Sequence, residues 1–238
     1  MQKLRAIITG ASSGIGKATA LAFAKKGINV ALVARSSAKL EAVTTAAKEV
    51  GVEAKAYPID LAKIEEVKAK IEDLAVDFGG IDILVNNAGM GYTNLISETP
   101  LADWQKIIDL NLTSVYQCIV GILPTMQARK TGTIINVASM AASTPIPQWG
   151  AYSVSKAGLI AFSKILAEEE RANGIRVMSI SPGAVNTPIW DTDTVQADLN
   201  RAAMLKPETI AELILQTALL PPEAVVEEVK IMPSAGTL

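Results

Sequence analysis

The chain of 238 residues has no histidine and a single cysteine. Without histidine, Ser-His-Asp hydrolysis, Cys-His proteolysis and His-ligated zinc are excluded together, so any proton transfer must use Tyr, Lys, Asp or Glu. A lone Cys118 rules out an intramolecular disulfide and a Cys-rich metal site. Its neighbours in VYQCIVGIL mark it as a small core hydrophobe, with a reactive thiol as the alternative. Charge is also sparse: 19% of residues are charged, the formal net charge is −2, and Lys and Arg form no run. Nothing there is an electrostatic footprint for nucleic acid or an anionic membrane. No segment reaches 18 uninterrupted apolar residues, and the start MQKLRAIITG passes directly into a strand pattern without a signal-peptide core. The expectation is a cytoplasmic protein with no metal, no nucleic acid and no membrane among its partners.

Apolar material, by contrast, is plentiful: half the residues are hydrophobic, enough for a well-buried core. The length suits one large α/β domain, expected to span residues 1–238. Short runs rich in Val and Ile recur at LRAIIT, INVALVA, AKAYPID, IDILVNN, GTIINVAS, IRVMSIS and VEEVKIMP. Between them lie amphipathic stretches such as AKLEAVTTAAKEVG, with apolar positions at helical spacing and Gly just past the end. Strands separated by helix-length segments predict a single doubly wound (Rossmann) parallel sheet of about seven strands, with helices on both faces. Ligands of such sheets bind beyond the carboxyl ends of the strands.

The first such end carries TGASSGIGKAT, residues 9–19. A triphosphate-binding loop needs G-x-x-x-x-G-K followed by Ser or Thr; here Ala18 follows Gly16-Lys17, and Ala11 stands where the first Gly belongs. A dinucleotide reading does better. Gly10, Gly14 and Gly16 sit between a strand and a helix, where tight turning lets a pyrophosphate meet unpaired helix N–H groups. The spacing G-x-x-x-G-x-G departs from the general fingerprint, and a plain glycine-rich turn is the alternative. After the second strand, ALVARSS lacks the acid that would bond an NAD ribose. Arg35 and Ser36 suit an anionic 2′-phosphate instead, favouring NADP, unless Arg35 is merely solvated.

Candidate chemistry lies further on. YSVSK places Tyr152 and Lys156 at i and i+4 on one helix face, where an ammonium can stabilise a phenolate. Ser139 directly follows the strand TIINVA and can donate to a developing oxyanion, or be a loop hydroxyl. Asn111, a poor helix former inside DLNLTSVY, can hold a water or clasp a buried carbonyl.

Taken together, TGASSGIG, NNAG (Asn86–Gly89), Asn111, Ser139, Tyr152 with Lys156, and PGAVNT (Pro182–Thr187) resemble the short-chain dehydrogenase/reductase family in order and separation. The resemblance implies that Tyr152 exchanges a proton with a carbonyl or alcohol and that Lys156 lowers its pKa and holds the nicotinamide ribose. It further implies that Ser139 polarises the carbonyl and that Asn111 holds a water linked to the lysine. Gly10, Ser12, Ser13, Gly14, Ile15 and Gly16 would cradle the pyrophosphate. Asn87, Ala88 and Gly89 would underlie the adenine ribose, and Asp60 and Leu61 would touch adenine, although Asp60 also suits a helix N-cap. Pro182, Gly183, Val185 and Thr187 would wrap the nicotinamide, where a plain Pro-Gly turn is the alternative.

Met90, Tyr92, Met140, Ile146, Trp149, Ile189 and Trp190 are expected as a mostly apolar substrate wall, although Trp149 equally suits helix packing or a subunit contact. Residues 188–205, acidic and polar from Asp191 to Asp198, read as a substrate lid. The partner is then a small-molecule or carrier-bound carbonyl compound, with 3-oxoacyl carrier-protein reduction the most familiar variant in the family. Two helices, spanning 101–126 and 150–170, are apolar round more of their circumference than one sheet face requires, and the resemblance implies that they pair across a dimer axis, so a homo-dimer or homo-tetramer is expected. The rivals are an NAD-linked alcohol dehydrogenase on the same scaffold and a non-catalytic nucleotide sensor.

Overall fold

The computed structural model describes residues 3–197 and 199–236. Seven parallel strands form one sheet in the order β3-β2-β1-β4-β5-β6-β7. They are β1 (Arg5–Thr9), β2 (Asn29–Ala34), β3 (Ala54–Pro58), β4 (Ile83–Asn86), β5 (Gly132–Val137), β6 (Ile175–Pro182) and β7 (Glu228–Ile231). Each falls within one of the apolar runs read from the sequence, except that β6 extends one residue past IRVMSIS to Pro182. The central strands β2 and β5 are buried at every position, which is why they read as continuous Val, Ile and Ala runs instead of alternating ones.

Successive strand residues serve opposite faces. Ala6, Ile8, Val30, Leu32, Val85 and Ile135 join one apolar cluster, covered by α1 (Gly14–Lys25), α2 (Ser37–Glu49) and α7 (Pro207–Ala218). Ile7, Ala31, Val33, Leu84 and Ile134 join the other, beneath α3 (Ile64–Asp77), α5 (Ser114–Arg129) and α6 (Gly150–Glu170). This two-residue period gives the sheet two complete cores. Phe23 and Phe78, one in each, are essentially inaccessible, and truncating either to alanine would cost about 3–5 kcal/mol.

From β1 the chain winds outward to β3, then returns past β1 to β4 and winds the other way. The crevice outside the carboxyl ends of β1 and β4 is therefore the topological switch point. Between them and β5 runs a long helical stretch: α4 (Leu101–Ile108), a π-helical turn (Asp109–Thr113) and α5. Leu101–Arg129 is long and apolar enough, by length and composition, to cross a membrane. In this fold Val115, Cys118, Ile119, Ile122 and Met126 belong to the core, so much of that apolar character is spent on the sheet. Burial pushes the Cys118 thiol up to about 12, leaving it an inert core group.

Candidate active site

Every motif singled out in the sequence lies at or just beyond the carboxyl end of a strand, or on a helix leaning over it. Gly10 follows β1, Arg35 follows β2, Asp60 follows β3, Asn87–Gly89 follow β4, Ser139 follows β5 and Gly183 follows β6. Gly10 and Gly14 adopt φ of +66° and +52°, left-handed values that favour glycine. A Cβ at Gly16 would run into the Gly10 carbonyl, backbone that cannot step aside. Ser13 precedes α1 in extended conformation and makes no side-chain cap bond, and the first intrahelical bond runs from Lys17 N–H to Ser13 O. The amides of Gly14, Ile15 and Gly16 thus stay open at the positive end of the helix, as an anion requires.

Thr9 locks this turn to the next motif. Its hydroxyl accepts from Asn87 N–H and Ala88 N–H, both at 3.0 Å, while Asn87 Nδ2 donates to the Thr9 carbonyl at 3.0 Å. Gly89 is close-packed for a different reason: a Cβ there would lie 3.1 Å from Asn111 Oδ1 and 3.5 Å from Lys156 Nζ.

Asn111 sits in the π turn, wholly buried. Its Oδ1 accepts from Met90 N–H at 2.9 Å, and its Nδ2 donates to the Met90 carbonyl at 3.0 Å and to Ser155 Oγ at 3.1 Å. The Ser155 hydroxyl passes on to the Tyr152 carbonyl at 2.6 Å. The backbone-clasp role is therefore realised in the side chain, while the π turn is an irregularity common at functional sites.

Tyr152 and Lys156 share the buried face of α6, with Lys156 Nζ 5.9 Å from the phenol ring centre. Burial raises the Tyr152 pKa, and a hydrogen bond from the Ser139 hydroxyl pulls it back down. The ammonium itself donates to the Val137 carbonyl at 2.9 Å, and burial lowers its pKa to about 8. Ser139 therefore acts on the Tyr152 phenol from the end of β5 while the Lys156 ammonium lies over its ring from the same helix face. Ser139 Oγ also accepts from Ala141 N–H at 3.2 Å, capping a short 3₁₀ turn.

Aromatic rings close one side. Trp149 packs edge-on against Tyr152 at 5.3 Å and against Trp190 at 5.7 Å between ring centres, and Trp190 Nε1 donates to the Val185 carbonyl at 2.7 Å. Met140, Ala141, Ile146 and Met232 complete an apolar cluster around Tyr152. Tyr92 leaves the expected wall: its ring is buried with Trp104 and Ile107, and its hydroxyl donates to Asp103 at 3.1 Å.

Four cofactor candidates sit as follows. Arg35 is exposed, and among the described residues it enters no ion pair. Ser36 Oγ accepts from Lys39 N–H at 3.4 Å as the cap of α2, which leaves its proton free to donate. Asp60 is not the cap of α3, whose N-cap is Lys63; its carboxylate accepts from Ala62 N–H at 3.1 Å, and Leu61 beside it is buried.

Against this geometry stand the comparisons. The family model described as short chain dehydrogenase matches residues 4–198. The chain belongs to that family. Among curated family members, the 3-oxoacyl-(acyl-carrier-protein) reductase of Synechocystis sp. is 41% identical over 187 residues, covering 78% of this chain and 76% of that protein. The enzyme of the same name from Staphylococcus epidermidis is 40% identical over 181 residues, covering 76% and 74%. Solved family structures superpose along nearly the whole length. An alcohol dehydrogenase from Thermococcus sibiricus, complexed with 5-hydroxy-NADP, gives a TM-score of 0.90 at 29% identity, covering 100% of this chain and 99% of that one. L-sorbose reductase from Gluconobacter frateurii, complexed with NADPH and L-sorbose, gives 0.89 at 35% identity, covering 100% and 97%.

Some residues that shape this family member's site carry no signature that reading along the chain would find. Thr9 opens the TGASSGIG motif, but nothing along the chain shows that its hydroxyl takes the Asn87 and Ala88 amides. Met232 reaches Tyr152 only because β7 lies beside β6, where a Cβ at Gly183 would meet Met232 and Pro233. Val195 and Thr194 close over Gly91: Thr194 Oγ1 donates to the Gly91 carbonyl at 2.8 Å, Thr93 N–H to the Thr194 carbonyl at 2.9 Å, and Gln196 N–H to Thr93 Oγ1 at 2.8 Å. Segment 188–205 contains two short 3₁₀ turns, Pro188–Asp191 and Arg201–Ala203; Asp198, part of the expected lid, lies outside the described residues.

Proposed function

We propose that this chain is an NADPH-dependent carbonyl reductase of the short-chain type, with Tyr152 as proton donor. The observation that carries the reading is the convergence of Ser139, Tyr152, Lys156 and Asn111 beside an anion-receptive helix terminus, at the switch point of a parallel sheet. The names of the relatives agree: solved ones are complexed with NADP or NADPH, and curated ones are 3-oxoacyl reductases.

The residues present fit such a dinucleotide. The open amides of Gly14, Ile15 and Gly16, with Gly10, Ser12 and Ser13, would take the pyrophosphate. The exposed Arg35 and the free proton of Ser36 suit a 2′-phosphate. Asp60 and Leu61 would meet adenine, and Asn87, Ala88 and Gly89 its ribose. Pro182, Gly183, Val185 and Thr187 would face the nicotinamide, with Tyr152 and Lys156 at its ribose. When bound, the reduced nicotinamide supplies a hydride to the carbonyl carbon. The Tyr152 phenol, kept protonated by burial, donates its proton to the carbonyl oxygen. Ser139 donates a hydrogen bond to the charge that develops there. Lys156, cationic at neutral pH, offsets the charge on the phenolate left behind, and Asn111, clasping the Met90 backbone and Ser155, fixes the wall beside it.

The substrate is a neutral small-molecule or carrier-bound carbonyl compound, because the wall beside Tyr152 is aromatic and aliphatic. Residues 188–205 serve as its lid within one domain, residues 1–238. Exposed Tyr116, Val154 and Ile165 on α5 and α6 form the face on which a second copy docks, as a homo-dimer or within a tetramer in the cytoplasm.

NADPH oxidation against acetoacetyl thioesters, diketones and aldehydes tests the reading. Tyr152→Phe is expected to lose about 10²-fold or more in kcat with NADPH binding retained. Undiminished turnover in that variant would remove Tyr152 as the acid.

A further inference from the structure

Arg201 lies on the return limb of segment 188–205, and its guanidinium donates in three directions. Nε bonds Asn186 Oδ1 at 2.9 Å, Nη2 bonds the Thr187 carbonyl at 3.0 Å, and Nη1 bonds Asp191 Oδ1 at 3.0 Å. Two of these acceptors belong to PGAVNT. Thr187 in turn rests on the glycine turn, where a Cβ at Gly14 would lie 3.0 Å from Thr187 Cγ2. One side chain therefore connects the return limb, the loop after β6 and, through Thr187, the start of α1. Main-chain bonds support the same juncture, from Leu205 N–H to the Ala184 carbonyl and from Asn186 N–H to the Leu205 carbonyl, both at 2.9 Å. A planar fork is needed to reach acceptors on three residues at once, and a lysine cannot reproduce it.

We propose that Arg201 is a positioning residue for the dinucleotide: it holds Asn186 and Thr187 against the glycine turn and so sets the affinity for NADPH, not the rate of the chemical step. The inference rests on the NADPH reading of the site. Its ion pair with Asp191 contributes little, since the two side chains are 36% and 63% exposed. The bonds to Asn186 and Thr187 carry the effect.

NADPH titration by fluorescence, combined with steady-state kinetics, distinguishes this from a merely structural role. Arg201→Ala is expected to bind NADPH about tenfold more weakly and to raise its KM by a similar factor, the scale of one charge-assisted hydrogen bond. Its kcat at saturating NADPH should stay within about twofold of wild type. Arg201→Lys should remain clearly weakened, and Asp191→Ala should stay within about twofold in affinity. An Arg201→Ala protein that binds NADPH as wild type does, or an Asp191→Ala protein that reproduces its loss, overturns the proposal. So does a fall in kcat with unchanged affinity. Should Arg201→Ala not fold, Asn186→Ala removes one acceptor and must still weaken NADPH by about threefold; unchanged binding there overturns it too. A wild-type protein that prefers NADH would defeat the 2′-phosphate reading separately, and the same comparison is then made in NADH.

Discussion

Replacing Lys156 by methionine should abolish carbonyl reduction and yet stabilise the cofactor-free protein at neutral pH. The Lys156 ammonium is buried, and its pKa falls from an ordinary 10.5 to about 8 because burial penalises the charged form. At about 1.36 kcal/mol per pH unit, keeping that charge inside the fold at pH 7 costs roughly 3 kcal/mol. Methionine removes the charge at nearly conserved length but also the hydrogen bond to the Val137 carbonyl, which returns about 1 kcal/mol of the gain. The net, about 2 kcal/mol, corresponds to a melting temperature about 4–8 °C higher for a chain of this size. The pH dependence is diagnostic. The folded pKa lies below the unfolded one, so between about 8 and 10.5 the unfolded chain binds more protons and stability rises with pH. Wild type should therefore gain about 1 kcal/mol between pH 7 and 9, which Lys156→Met should not show. Above pH 9 the Cys118 thiol, held up to about 12 by burial, pulls the other way and closes the window. Differential scanning fluorimetry of both proteins in steps from pH 6.5 to 9 measures this. Equal melting temperatures at pH 7, with parallel profiles, would refute the claim that a desolvated ammonium sits beside Tyr152.

Three further outcomes are expected. Arg35→Asp places a carboxylate where the 2′-phosphate is expected and should invert the preference between NADPH and NADH by about tenfold or more in relative affinity, read by titrating both. Gly16→Ala drives a methyl group into the Gly10 carbonyl; loss of NADPH binding with a lowered melting temperature is expected, and a variant binding like wild type would contradict the close packing of that turn. Ser139→Ala removes the hydrogen bond that lowers the Tyr152 pKa, so kcat for reduction should fall by about 10²-fold with the KM for NADPH unchanged.

The interior of the sheet was legible in the sequence because strands such as β2 and β5 are buried on both faces and appear as continuous apolar runs, whereas the edge strands β3 and β7, partly exposed and carrying Lys55, Glu228 and Lys230, show only as weaker Val, Ile and Ala segments. The glycine turn was legible too, since positive φ at Gly10 and Gly14 leaves few other residues possible. Electrostatics was harder to read. Tyr152 and Lys156 four apart on a helix suggested an ammonium beside a phenol, but that spacing gave no sign that the Val137 carbonyl also holds the ammonium or that Ser139, thirteen positions upstream, also acts on the phenol. Spacing within one helix carries no information about such partners. Tyr92 shows the same limit, because an aromatic after NNAG gives no sign of Asp103 waiting on α4 to take its hydroxyl. Met232 depends on a strand pairing made about fifty residues after β6 begins.

The parallel bridge between Val185 and Leu205 brings the two feet of the intervening stretch together on the loop after β6. A segment whose ends already meet can be exchanged, shortened or extended at little entropic expense to the rest, since closure scales only with the logarithm of length. With residues 188–205 as the proposed lid, selectivity for one carbonyl compound over another would be rewritten as a cassette between those two feet, provided Asn186, Thr187 and Arg201 are kept for the dinucleotide.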